Sequence, residues 1–145
     1  MTRAVQILLV EDSPSDARLT QLALESAALA CRVEVAEDGE TALSRLRDPD
    51  APRPDLILLD LNLPGIDGHE VLGELKSDDA LSLIPVCVLT TSRAPEDVDL
   101  AYRRHTNCYI AKPFDMDEFA EVIRQLETFW FQVAELPGSR AHDVA

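Results

Sequence analysis

The chain has 145 residues, 46% of them apolar and 5% aromatic, which suits one domain with a sizeable core. Its 27 Asp and Glu against 13 Lys and Arg give a formal charge of −14, so direct binding to nucleic acid or anionic membrane is disfavoured. No apolar run approaches the roughly 20 residues of a membrane-spanning helix, and the opening MTRAVQILLVED reads as a strand and not as a signal peptide. Cys31, Cys87 and Cys108 form no CxxC pair. They suit a reduced cytoplasm, with each expected to be a small core residue.

Apolar runs then alternate with amphipathic stretches five times. Val5–Val10 is apolar, short and bounded by acids, the pattern of a strand buried on both faces. Ser13 and Pro14 supply an N-cap and an N1 proline for a helix carrying Ala17, Leu19, Leu22, Ala23 and Leu24. Cys31–Ala36 is a second strand, and Asp38-Gly39 leads into a helix with Ala42, Leu43 and Leu46. Pro49, Pro52 and Pro54 stiffen the approach to a third strand over Asp55–Asp60. Leu61–Gly68 contains Pro64, Gly65 and Gly68 and is a loop. A third helix holds Val71, Leu72 and Leu75. Val86–Leu89 is the fourth strand, and Pro95 opens a fourth helix with Val98, Leu100, Ala101 and Tyr102. Asn107–Ala111 is the fifth strand, and a last helix runs from about Asp115 past Trp130, with a polar tail from Gly138. This alternation predicts an α/β fold: a doubly wound, flavodoxin-like sheet of five parallel strands in the order 2-1-3-4-5 with five helices.

In such sheets ligands bind outside the carboxyl ends of the strands. Strand one ends in Glu11-Asp12, strand three in Asp60, strand four in Thr90 and strand five before Lys112. Acids at strand ends also serve as helix caps, and Glu37 and Asp38 read that way. Five chemically matched residues at four neighbouring strand ends point instead to one pocket. Three carboxylates there repel by about 4 kcal/mol per close pair at an effective dielectric of 20. Lys112 offers one positive charge, so a hard divalent ion with oxygen ligands is expected, and Mg²⁺ fits.

ILLVEDS (Ile7–Ser13), DLILLDLNLPGIDG (Asp55–Gly68), PVCVLTTS (Pro85–Ser92) and YIAKPF (Tyr109–Phe114) together resemble the receiver domains of two-component response regulators. The resemblance runs from about Val5 to Arg124. It implies that Asp60 accepts a phosphoryl group from a phosphohistidine on a sensor histidine kinase. It further implies that Glu11, Asp12, Asp60 and the backbone carbonyl of Asn62 hold Mg²⁺, and that Lys112 neutralises phosphoryl charge. Thr90 becomes the switch hydroxyl, Tyr109 the aromatic ring that turns inward with it, and Lys112-Pro113 a cis peptide. His69 and His105, placed on helices with no paired ligand spacing, read as surface residues. Pro64-Gly65 and Gly68 are loop formers that could bend the chain around Asp60.

Beyond residue 127 the chain continues as TFWFQVAELPG, dividing it into a receiver domain (1–127) and a C-terminal extension with a polar tail (128–145). At about 100° per residue, three consecutive aromatics cannot share one helix face. Leu126, Phe129, Trp130 and Val133 can face one way while Phe131 faces elsewhere. Such an aromatic cluster either covers its own core or forms an interface, and Phe129, Trp130, Phe131, Val133 and Leu136 are the candidate homodimer contacts. The FWFQVAELP ending resembles stand-alone regulators encoded with bacterial phytochromes, making a bacteriophytochrome the candidate kinase. The expected output is protein–protein contact in the cytoplasm, with no nucleic acid, membrane or small-molecule substrate. Two other readings compete. A Mg²⁺-dependent aspartyl phosphatase would place a D-x-D pair after strand one, where this chain has adjacent acids. A non-phosphorylated pseudo-receiver scaffold would have no need of the acids, Thr90 and Lys112 together.

Overall fold

A computed structural model describes residues 5–25 and 31–137. Five parallel strands, β1 (Val5–Val10), β2 (Cys31–Ala36), β3 (Leu56–Leu59), β4 (Val86–Thr90) and β5 (Cys108–Ala111), pair in the order β2-β1-β3-β4-β5. Helices α1 (Pro14–Glu25), α2 (Gly39–Arg47), α3 (Gly68–Ser77) and α4 (Pro95–Arg103) connect them, and α5 (Met116–Thr128) follows β5. The expected topology is the observed one.

Each central strand feeds two cores by simple alternation. Leu8, Val10, Ile57, Leu59, Val86 and Val88 pack with Val71, Leu72 and Leu75 of α3. Ile7, Leu9, Leu56, Leu58, Cys87 and Leu89 pack on the other face with Leu24 of α1 and Phe119 and Ile123 of α5. Both faces of β3 are covered, which is why its sequence is an unbroken apolar run. The same alternation carries past the strand ends. Residues 7, 9 and 11, residues 56, 58 and 60, and residues 108, 110 and 112 fall on the α1/α5 side. Thr90 and Tyr109 fall on the side of α3, and Tyr109 packs against that core.

Short polar side chains start the helices. Ser13 Oγ accepts from Asp16 N at 3.3 Å, Asp38 caps α2 through Thr41 N at 2.7 Å, and Asp67 caps α3 through Glu70 N at 2.9 Å. The reading of Asp38 as a cap holds.

Three expectations change. Cys87 and Cys108 are register partners on β4 and β5 with a Cα–Cα distance of 4.7 Å, and the structure joins them as a disulfide, leaving Cys31 free. Strand register, which spacing in the sequence does not reveal, brings the two together. His69 is buried, not superficial, because a partner on α4 receives it. His105 lies just beyond α4 with φ 69° and not on a helix, while its place at the surface is as expected.

The chain leaves α5 through a π-helical turn over Phe129–Val133. Trp130 and Phe131 pack against the α1/α5 core, while Phe129 stays 51% exposed and meets Trp130 edge to face at 5.2 Å. The wider π turn redistributes the three rings relative to an α-helix. Two aromatics therefore cover the chain's own core, and Phe131 does not stand apart from Trp130. The side chain of Val133 and the tail from Gly138 lie outside the described residues.

Candidate functional site

The ladder hydrogen bonds that outlast the strands set the site. Glu11 N donates to Ala36 O at 3.0 Å, Asp60 N to Val10 O at 3.0 Å, and Lys112 N to Thr90 O at 2.7 Å. These bonds fix the backbone beneath each functional side chain. Glu11, Asp60, Thr90 and Lys112 are all buried, and Asp12 is exposed at the rim.

Glu11, Asp12 and Asp60 bring a carboxylate oxygen each within 4.8 Å of one another. Such a set of hard oxygen donors fits a divalent cation of the Mg²⁺ or Mn²⁺ kind and fits a soft metal poorly. Asn62 N donates to Asp60 Oδ1 at 3.1 Å, so the start of the loop folds back over the carboxylate. Gly68 closes the same loop. A Cβ there would stand 2.3 Å from the carbonyl oxygen of Asp60 and 2.6 Å from Leu61 Cα, so the chain passes Asp60 at a distance only glycine allows.

Lys112 enters from β5 and its ammonium meets three carboxylates. It donates to Glu11 Oε1, to Asp16 Oδ2 at 3.1 Å and to Asp60 Oδ2 at 3.3 Å. Burial pulls Lys112 down, but Glu11, Asp60 and Asp16 together outweigh it and hold the ammonium above its ordinary value. Burial also pushes the Glu11 carboxyl up to about 7. The Asp60 charge adds to that rise, and Lys112 opposes it. Lys112 thus remains cationic while Glu11 carries an electrostatic cost that a divalent ion would relieve. The Lys112–Pro113 bond is trans, as are the other described peptides, which corrects the expected cis geometry. The ammonium reaches the acids because residue 112 lies on the α1/α5 side of the sheet.

Asp16 escaped the sequence reading. It sits in the first turn of α1, away from any strand end.

On the opposite side of the sheet, Thr90 Oγ1 lies 3.5 Å from Ser92 N. Tyr109 Oη donates to Ser92 O at 2.9 Å. Ser92 Oγ donates to Asp97, and His69 Nε2 stands 3.0 Å from the other oxygen of that carboxylate. A polar chain therefore runs from Tyr109 through Ser92 and Asp97 to His69. Sequence reading brought Thr90 and Tyr109 forward but not Asp97 or His69.

A shallow cleft of about 860 Å³ beside α3 is lined by Arg47, Lys76, Arg103 and Arg104. Three of these four cations are engaged within the chain: Arg47 with Glu74, Arg104 with the carbonyl of His69, and Lys76 with Asn107. The convergent chemistry lies at the strand ends.

The family model of the response regulator receiver domain matches residues 7–124. The chain is 42% identical over 137 residues to the response regulator Rcp1 of Synechocystis, covering 92% of this chain and 93% of that protein. The crystal structure of the phosphorylated cyanobacterial phytochrome response regulator RcpA superposes with a TM-score of 0.90 at 44% identity, covering 93% and 99% of the two chains. The Mn²⁺-bound form of Rcp1 gives 0.88 at 42% identity over 92% and 99%. The bacteriophytochrome response regulator AtBRR gives 0.70 at 40% identity over 92% and 100%. By sequence and by fold, this chain belongs to the response regulator receiver domain family.

Proposed function

We propose that the protein is a stand-alone response regulator that takes a phosphoryl group onto Asp60 from the phosphohistidine of a sensor kinase. In that step an Asp60 carboxylate oxygen attacks phosphorus, the P–N bond breaks, and the imidazole nitrogen keeps the bonding pair. The observation that carries the reading is the Asp60–Lys112 contact beside the Glu11–Asp12–Asp60 carboxylates. Lys112 sets a fixed positive charge where negative charge gathers on the transferring group. Glu11, Asp12, Asp60 and the carbonyl of Asn62 would hold Mg²⁺, which supplies further charge neutralisation at the phosphoryl oxygens. Thr90 then bonds a phosphoryl oxygen. Its movement disturbs Ser92, whose carbonyl holds Tyr109, so the ring responds. The same pocket would return the phosphoryl group to water without a separate hydrolase.

Similarity to regulators of phytochrome signalling supports a bacteriophytochrome as the kinase. Residues 1–127 form the receiver unit, and residues 128–145 extend it. The −14 charge favours output through protein contacts in the cytoplasm, and Phe129 with the edges of Trp130, Phe131 and Leu136 supports a homodimer. Phosphorylation by a small acyl phosphate with Mg²⁺ tests the core of the reading. One phosphoryl group should appear by intact mass and vanish in Asp60→Asn. Full labelling of that variant would reject Asp60 as the acceptor.

A further inference from the structure

An ammonium has three N–H donors, and Lys112 spends its donors on Glu11, Asp16 and Asp60. Glu11 and Asp60 are also two of the three carboxylates grouped tightly enough to share a cation. Asp16 stands outside that group. We propose that Asp16 is a positioning residue: it anchors the Lys112 ammonium in the pocket while the cation and the phosphoryl group occupy Glu11 and Asp60. This inference rests on the reading of Asp60 as phosphoacceptor.

The geometry suits an anchor. The backbone of Asp16 is fixed by the α1 cap, where its N–H meets Ser13 Oγ, and by Thr20, whose hydroxyl donates to the Asp16 carbonyl at 2.8 Å. Helix α1 packs on α5 and β2, so the carboxylate is carried on a rigid element. Its side chain is 39% exposed while that of Lys112 is 4% exposed. Asp16 therefore stays at the mouth of the pocket and pulls the ammonium outward along the α1 side. When Asp60 becomes an acyl phosphate and Glu11 turns to the cation, two of the three partners of Lys112 change. Asp16 is the one the chemistry leaves in place. Without it, Lys112 has no fixed direction at the moment the phosphoryl charge must be met, and misdirected charge slows transfer.

The sign of the effect separates positioning from simple electrostatics. Removing an acid from a −14 chain weakens repulsion of an anionic phosphodonor, so a field effect alone would speed the reaction. Positioning predicts that Asp16→Asn slows phosphorylation by a small acyl phosphate about three- to tenfold, the scale of one ordinary net hydrogen bond, as suits a carboxylate that is 39% exposed, and that Asp16→Glu recovers most of the rate. Chemistry-independent evidence comes from the two lysines of the chain, Lys76 and Lys112. Lysine labelled at Cε and Nζ gives two side-chain NMR signals, and Asp16→Asn should shift that of Lys112, with and without Mg²⁺, while leaving Lys76 in place. An unchanged or faster rate together with an unmoved Lys112 signal would overturn the proposal. So would a loss seen with a histidine kinase as donor but absent with the acyl phosphate, which would make Asp16 a docking contact. If labelling persists in Asp60→Asn, the phosphoacceptor reading fails instead, and the Lys112 signal still reports on Asp16.

Discussion

His69 Nε2 and Asp97 Oδ1 stand 3.0 Å apart and tie the first turn of α3 to the first turn of α4. Ser92 holds the other oxygen of Asp97 and accepts Tyr109 through its carbonyl. Arg104 returns to the carbonyl of His69 at 2.6 Å. One histidine thus braces the segment between β4 and α4 on which Thr90 and Tyr109 depend.

Removing that brace should loosen the segment. His69→Ala is expected to lower unfolding free energy by roughly 1–3 kcal/mol, through lost packing of a buried ring and the loss of one of the two side-chain hydrogen bonds to Asp97, measured by urea denaturation. Hydrogen bonds from Ser92 and then His69 hold the Asp97 carboxyl below its ordinary value. A depressed acid stabilises the fold above its unfolded pKa, and that contribution is lost as pH falls through the folded value. The stability gap between wild type and Asp97→Asn should therefore be steady near neutrality and close in acid. A gap independent of pH would show that the folded chain does not hold the Asp97 carboxyl below its ordinary value.

Gly68→Ala tests the close passage over Asp60. The new methyl would meet two backbone atoms, Asp60 O and Leu61 Cα, which cannot rotate away. Overpacking of this kind costs about 1–3 kcal/mol, and relief by moving the loop would displace Asp60 itself. We expect lowered stability in urea together with weakened Mg²⁺ binding. A variant with native stability and native Mg²⁺ affinity would mean the loop yields freely.

The fold was readable because each element satisfies its local rule alone. LILL over Leu56–Leu59, too short for a helix between Pro54 and the Pro64-Gly65 loop, reads as a doubly covered strand, and Pro14, Pro95 and Asp38 mark helix starts by their own chemistry. The strand-end residues Glu11, Asp60, Thr90 and Lys112 were readable for the same reason. What escaped depends on rotation and register. Asp16 meets Lys112 across 96 residues, through the phase of α1 and the alternation of β5. His69 is buried because Asp97 arrives from another helix, and Cys87 faces Cys108 only once β4 and β5 are aligned. The outward Phe129 depends on a π turn that no residue of the segment announces.

Glu11 makes the effect of Mg²⁺ depend on pH. Its carboxyl is raised from the ordinary carboxylate range to about 7, first by burial. A raised acid binds its proton more tightly in the folded chain, so stability is lost as pH climbs from about 4.3 to about 7. Above that, the metal-free fold carries the full cost of a buried carboxylate. A cation bound through Glu11 offsets that cost, and below about pH 7 it must first displace the proton. Apparent Mg²⁺ affinity should fall about tenfold per pH unit in that lower range if one proton is displaced. At about 100 times the dissociation constant, Mg²⁺ adds about 2.7 kcal/mol. A fixed Mg²⁺ concentration should therefore raise the melting temperature more at about pH 8 than at about pH 5.5. Equal shifts at both values would remove Glu11 from the binding set.

The C-terminal aromatics set a quantitative limit on the homodimer. A Phe side chain presents about 200 Å² when fully exposed, and Phe129 retains 51% of its surface. Two symmetric copies would then remove about 200 Å² from water, near 5 kcal/mol at about 25 cal/mol/Å². Association costs about 4–15 kcal/mol in lost freedom, so Phe129 cannot hold a dimer unaided. The half-buried edges of Trp130, Phe131 and Leu136 must share the contact, and like charge on two −14 chains opposes it. Truncation before Thr128 is a poor test, because Trp130 and Phe131 also cover the core and their removal would destabilise the monomer. Phe129→Glu removes the exposed ring and leaves that cover intact. Sedimentation of the full chain should give a mass near twice 16.0 kDa, and Phe129→Glu should give a monomer with a nearly unchanged melting temperature. A full-length monomer at tens of micromolar, with and without phosphorylation, would assign the aromatic turn to its own core and leave Phe129 for another partner.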